Sequence, residues 1–274
     1  ALNANFGLVV TPAGAVLIDS GASLQGAQKI AEAAKKVTSQ PIRWVINTGG
    51  QDHRWMGNGF FKNQGAEILA HANGRADMTA RGPEHLSSNA PVLKERLAGT
   101  EVVLPTRWLT ETDTTLQWGG MTLQVAHRGG GHTPGDSMVW LPQSGVVFTG
   151  DVVYVDRILG LHPVSKTKTW LASFEALEAL KPKVVVPGHG SVTTLVRANA
   201  CNFEGDASGA APGTLCTADQ MTVTPDGRFL VAETGMTRSA AGFNTFSYAQ
   251  LRSYTPQGTS TVVAGIPAAA GADD

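Results

Sequence analysis

Five polar side chains stand just beyond the ends of apolar runs, and all five are of types that hold divalent metal ions. Asp52 and His53 end the segment RWVINTGGQDH, His132 lies in VAHRGGGHTPGD, Asp151 closes VVFTGD and His189 sits in VVVPGHG. Imidazole nitrogen and carboxylate oxygen, with no thiolate among them, suit Zn²⁺ or a similar ion. Strand ends fix the loop backbones, and the neighbouring glycines let those loops converge. Between His132 and Asp151 the chain runs out along a strand, turns at Pro142-Gln143-Ser144-Gly145 and returns. A hairpin of that kind brings both residues to one sheet edge. Two carboxylates with neutral histidines would neutralise one divalent cation. Taken singly, each residue has an ordinary explanation: a histidine at a strand end is usually hydrogen-bonded or on the surface, Asp151 could close a turn, and Asp52 could cap a helix. The joint pattern is what points to a metal. His71, His85, His127 and His162 lack a comparable setting and read as structural.

The elements that would carry these residues alternate strand and helix through residue 190. FGLVVT and AVLIDSG form a hairpin around Pro12-Ala13-Gly14. Leu24, Ala27, Ile30, Ala31, Ala34 and Val37 fall on one helical face, with Ser23 as its cap. RWVIN, a glycine-rich loop and EILAH follow, then a helical stretch from about 73 to 98 that Pro83 and Pro91 should break. TLQW, MTLQVAH, SMVWLP and GVVFTG are strands. Leu171, Phe174, Leu177 and Leu180 mark a helix leading into the buried strand KVVVP. Sheets covered by helices are implied, and two sheets between helical layers would fit as well as a doubly wound sheet.

Composition narrows the class. With 274 residues, 42% hydrophobic and 16% charged, the chain can bury a full core. A net charge of −1 and no basic stripe argue against nucleic acid, and no apolar run is long enough to span a membrane. The small-molecule substrate is therefore the expected partner; the sequence does not indicate an oligomeric state. The opening residues already read as a strand, so a leader could have been removed, which favours a periplasmic or secreted setting. Cys201 and Cys216 could pair there. GxSxG, GxxxxGK[ST] and CxxC motifs are absent from the sequence.

Read together, these segments resemble the metallo-β-lactamase superfamily over roughly residues 5 to 190. LIDSG, with Asp19, matches its first motif; HTPGD, FTGD and PGHG match the third to fifth, giving His132, Asp151 and His189. The resemblance implies an α/β fold, the αββα sandwich, with the active site at one edge of the two sheets. It also implies a hydrolase whose zinc-bound hydroxide attacks an ester, lactone, amide, thioester, phosphoester or β-lactam bond. A looser resemblance is to SoxH-like and quinoprotein-relay members, which act in the bacterial periplasm.

The second motif departs from the family. Where Asn-Thr-His-x-His-x-Asp-His is expected, the chain has Asn47-Thr48-Gly49-Gly50-Gln51-Asp52-His53-Arg54. If the loop is one residue shorter, Asp52 and His53 keep their family roles and complete one metal site with Asp151 and His189. If it is ungapped, Gln51 replaces a histidine, His53 takes the aspartate's place and Arg54 the last histidine's, giving a site of His53, His132, Asp151 and His189. The first register preserves the Asp-His pair and is the one expected; either leaves one zinc rather than two. Asp52, His132 and Asp151 are the expected catalytic residues, with Asp52 orienting water or passing its proton. Arg54 would either hold an anionic substrate group or, equally, be an ordinary surface arginine. Trp55 and Trp108 either line the pocket or, more ordinarily for tryptophan, pack in the core. A non-catalytic binding or scaffold protein with a degraded metal site is the competing reading.

After Gly190 the character changes to an all-β appendage, residues 191–274. TVTPDGRFLVAETG and LRSYTPQGTSTVVAG resemble an NHL-type β-propeller repeat, and SVTTLVRANACNFEGDASG the end of a preceding one. A lone blade has open edges and would pack on the main domain, pair with another chain or stay partly disordered.

Overall fold

The computed structural model describes residues 4–155 and 159–194 and, beyond these, the backbone of four strands. Two compact units divide the chain, Ala1–Gly190 and Ser191–Asp274.

In the first unit, one sheet contains β1 (Gly7–Thr11), β2 (Gly14–Ile18), β3 (Ile42–Ile46), β4 (Glu67–His71) and β5 (Arg107–Leu109), adjacent in chain order. β1 and β2 are antiparallel, and the other neighbours are parallel. Within the same unit a second sheet runs β6 (Asp113–Trp118), β7 (Met121–His127), β8 (Ser137–Leu141), β9 (Val146–Phe148) and β10 (Val184–Val186). β6 through β9 pair antiparallel, and β9 and β10 are parallel.

Side-chain alternation along the strands builds the layers. On β2 and its parallel neighbours Val16, Ile18, Ile46 and Leu69 point one way, into a core shared with Leu123, Val125 and Val139 of the second sheet. Leu17, Val45 and Ile68 point the other way, against Ala27 and Ala31 of α1 (Leu24–Val37) and Phe61 of α3 (Asn58–Asn63). A strand buried on both faces reads as a continuous apolar run, as GAVLI does. On the far side, Met138, Val147 and Val185 meet Trp170 and Leu177 of α5 (Thr167–Leu180). The layering is helix, sheet, sheet, helix. Ser23 caps α1, its side chain accepting from the Gly26 N–H at 3.1 Å.

Two local expectations are corrected. The glycine-rich loop after β3 contains α2 (Asp52–Trp55) as well as α3. α4 (Arg75–Leu93) runs unbroken through Pro83 and Pro91. Both prolines are exposed, as is Thr79, whose carbonyl loses its partner at Pro83. The missing bond therefore faces water, while Met78, Gly82, His85, Asn89 and Leu93 form a buried stripe that holds the helix.

The ends of the two sheets are joined by a stacked imidazole pair. His71 ends β4 and His127 ends β7, with ring centroids 3.6 Å apart and planes 16° from parallel. Asn73 serves both rings, its N–H donating to His71 Nδ1 at 3.3 Å and its amide contacting His127 Nε2 at 2.8 Å. His127 Nδ1 donates to the Asp136 carbonyl at 2.9 Å. Burial pushes both pKa values down, His71 to about 4 with the help of its neighbour. The unfolded chain takes up these protons near pH 6.5, the folded chain only well below it. The stabilisation is thus present above pH 6.5 and is lost as pH falls toward 4, by about 2 kcal/mol for His71 between pH 7 and 4.5. Urea unfolding at those two pH values should show that loss in the wild type. His71→Phe, which keeps a stackable ring, should lose less by about that amount; an unchanged pH dependence would count against the pair.

The second unit holds β11 (Thr193–Thr194), and its β12 (Ala218–Val223), β13 (Phe229–Arg238), β14 (Asn244–Tyr254) and β15 (Ser260–Gly265) pair antiparallel in chain order. The propeller-type reading of 191–274 depends on side chains outside the described residues, as do Cys201 and Cys216.

Candidate metal centre

All five candidate ligands lie at strand ends or in the loops that follow, and all are buried. The loop after β3 is stapled at its base by an amide cluster. Asn47 donates to the Arg54 carbonyl at 2.9 Å and to Asn58 Oδ1 at 3.0 Å, and Asn58 returns a bond to Asn47 Oδ1 at 2.9 Å. Gly57 is needed there, because a Cβ would stand 2.0 Å from the Ser20 carbonyl oxygen. Asp19, in the left-handed region at φ 66°, accepts from the Thr48 N–H at 2.7 Å and from its hydroxyl.

Among the described residues, the donor atoms of His53, Asp151 and His189 lie within 4.8 Å of one another. Asp151 is the centre of this group. Its Oδ2 is 3.3 Å from His53 Nε2, and its Oδ1 is 3.2 Å from His189 Nε2. His53 Nε2 is buried and has no hydrogen bond of acceptable geometry. A nitrogen so placed, with a second imidazole and a carboxylate beside it, fits a divalent ion of zinc type.

The other predicted residues are placed differently. Asp52 is outside the group: its Oδ1 accepts from the His53 N–H at 2.7 Å and faces His53 Nδ1 at 3.0 Å, while Oδ2 accepts from Asn89 at 2.6 Å. Of the loop's two candidates, His53 is in the group and Asp52 is not, and the three residues brought together are common to both registers. His132 also stays outside the three. Its Nδ1 lies 2.9 Å from the Gly160 carbonyl, so that nitrogen carries the proton and Nε2 is the acceptor. Trp55 is fully buried and donates to the Gly50 carbonyl at 2.9 Å, and Trp108 packs partly buried in the same cluster.

Arg54, expected to meet a substrate anion, is 1% exposed and has all five N–H donors engaged. Nε and Nη2 form a fork on Asp151 at 3.2 and 2.7 Å; Nη1 reaches Asp19 at 3.0 Å and the Asn5 carbonyl at 3.1 Å; Nη2 also donates to the Gly188 carbonyl at 2.9 Å. The first glycine of PGHG follows from this, since a Cβ on Gly188 would stand 2.5 Å from Nη2. Burial alone would raise the Asp151 pKa, but Arg54, His53 and His189 hold it well below the usual carboxylate range. Asp19 shares the same guanidinium, yet burial wins there and its pKa is raised.

The space where the family's first histidine would stand is filled. A Cβ on Gly49 would lie 2.5 Å from Asp136 Oδ1, and one on Gly50 would lie 2.7 Å from Asp77 Oδ2. Asp136 is tied to both the N–H and the hydroxyl of Thr133, and that hydroxyl accepts from the Gly50 N–H at 2.9 Å. Burial pushes the Asp136 carboxyl up to about 7.

Sequence reasoning passed over two residues near the site. His162 sets its ring edge-on to His132, with centroids 4.8 Å apart, and Tyr154 lies edge-on to His189 at 4.7 Å. Tyr154 stands three residues beyond Asp151, which was a usable signal; His162 lies in a loop whose path no local pattern discloses.

Comparison with known proteins agrees with this architecture. The family model for the metallo-β-lactamase superfamily matches residues 1–189. The chain is 26% identical over 191 residues to metallo-β-lactamase IND-1 of Chryseobacterium indologenes, covering 68% of this chain and 72% of that one. Among solved structures, a metallo-β-lactamase from Pontibacter korlensis superposes with a TM-score of 0.54 at 26% identity, covering 70% of this chain and 87% of that one. Metallo-β-lactamase IND-7 superposes at 0.56 with 25% identity, covering 68% and 78%. The chain belongs to the metallo-β-lactamase superfamily, a family of metal-dependent hydrolases.

Proposed function

We propose that the chain is a hydrolase of small molecules that works with a single zinc ion held by His53, Asp151 and His189. The convergence of those three donors carries the reading. The bond class that fits is an ester, lactone, amide or β-lactam. A bound divalent ion supplies Lewis acidity and makes water a nucleophile near neutral pH. The chain's own residues supply the rest. Arg54 holds Asp151 ionised and fixed from behind, leaving its front to face the two imidazoles. His132, with its proton on Nδ1, offers Nε2 beside the site as the acceptor for a proton released by water, to be returned to the leaving group.

The packing of Asp136 against Gly49 favours a second reading, a scaffold protein whose metal chemistry is lost. Metal analysis after zinc reconstitution, with a panel of esters, lactones and β-lactams, separates the two. We expect about one zinc per chain, and turnover that disappears on chelation and in His189→Ala. A chain that takes up no zinc overturns the hydrolase reading; stoichiometric zinc without turnover on any bond class favours the scaffold.

A further inference from the structure

We propose that Asp52 and Asn89 are positioning residues that decide which nitrogen of His53 faces the ion. The inference rests on the zinc site of the preceding subsection. An imidazole can bind metal through either nitrogen, and the choice is set by what the other nitrogen donates to. In His53 the two nitrogens have different surroundings. Nε2 lies in the Asp151–His189 group, and Nδ1 lies 3.0 Å from Asp52 Oδ1. Both nitrogens face a carboxylate oxygen, Nδ1 that of Asp52 and Nε2 that of Asp151 at 3.3 Å. With a zinc ion shared between Nε2 and Asp151, Nδ1 is the nitrogen that carries the proton, donating it to Asp52.

Asp52 is itself held in place. Oδ1 is anchored by the His53 N–H and Oδ2 by Asn89, whose 2.6 Å bond comes from the buried stripe of α4. Asp52 and Asn89 are each 6% exposed, so solvent does not compete for these bonds. To act as a metal ligand instead, Asp52 would have to abandon all of them. The chain of contacts runs from a long helix, through a carboxylate, to an imidazole and so to the ion.

The test is zinc affinity by competition with a chromophoric chelator, read beside the ¹⁵N shifts of the His53 ring in the zinc-loaded protein. The wild type should show a protonated Nδ1 and a metal-bound Nε2. Asp52→Ala should weaken zinc about 10- to 100-fold and blur that assignment. Asp52→Asn keeps an acceptor for Nδ1, and Asn89 can turn its amide to match, so most of the affinity should return. Asn89→Ala leaves every bond between Asp52 and His53 and should weaken zinc less, which keeps the test available if Asp52→Ala unfolds. If Asp52 were a ligand, the Asn variant would fail as badly as the Ala variant, and X-ray absorption would show one fewer oxygen donor. Unchanged affinity and ring assignment in Asp52→Ala overturns this inference alone; a wild type that binds no zinc overturns it together with the hydrolase reading.

Discussion

Arg54→Ala is expected to destabilise the zinc-free chain by about 3–5 kcal/mol, the range for breaking a buried ion pair by removing one partner. The guanidinium is the counter-cation of Asp151 and Asp19 at once, and it also ties the Asn5 and Gly188 carbonyls. Its removal leaves two buried carboxylates without their shared counter-cation. Asp19 is already the weaker anion of the two, so it would be the first to take up a proton. Arg54→Lys should recover only part of the loss, because one ammonium cannot reproduce a two-point fork on Asp151 together with three further bonds. Equilibrium urea unfolding in the presence of chelator reads both variants. A loss under about 1 kcal/mol in Arg54→Ala would mean that the network is an ordinary surface-type pair.

The same residue shows where sequence reasoning succeeds and where it stops. Strand alternation, the Ser23 cap and the hairpin at residues 12–13 are local, and each was legible because neighbouring residues decide it. The strand-end placement of His132, Asp151 and His189 was legible for the same reason. Arg54 beside a metal motif suggested a substrate anion, since nothing local says that Asp19, 35 residues earlier, and Asp151, 97 residues later, converge on it. The continuity of α4 through Pro83 also depends on tertiary structure: the proline costs the helix about 3 kcal/mol in isolation, and only the buried stripe against Trp55 and its neighbours offsets that. The one-residue register is left open by spacing, and the group of three is common to both registers; what no local pattern discloses is that Asn89, on a distant helix, holds the Asp52 carboxylate.

The packing around Gly49 makes a second metal position a matter of space as well as of missing ligands. Restoring both family histidines, Gly49→His with Gln51→His, is expected to leave zinc at about one per chain and to cost about 3 kcal/mol, at the upper end for overpacking a filled interior. The cost arises at position 49. The first carbon of the new side chain already stands 2.5 Å from Asp136 Oδ1, before any ring is added. Relief requires moving Asp136, which would break its two bonds to Thr133 and disturb the bond from Gly50 to that hydroxyl. Gln51 differs, being only partly buried, and Gln51→His alone should be tolerated within about 1 kcal/mol. Native mass spectrometry for zinc content and thermal unfolding for stability distinguish the outcomes. A double variant that binds two zinc ions at wild-type stability would show that Asp136 yields the space readily, and the site would then be a two-metal centre lacking only its side chains. If the expected loss is found, a second ion will need Asp136 and Thr133 replaced together with the loop, since those two residues hold the space a histidine at 49 would enter.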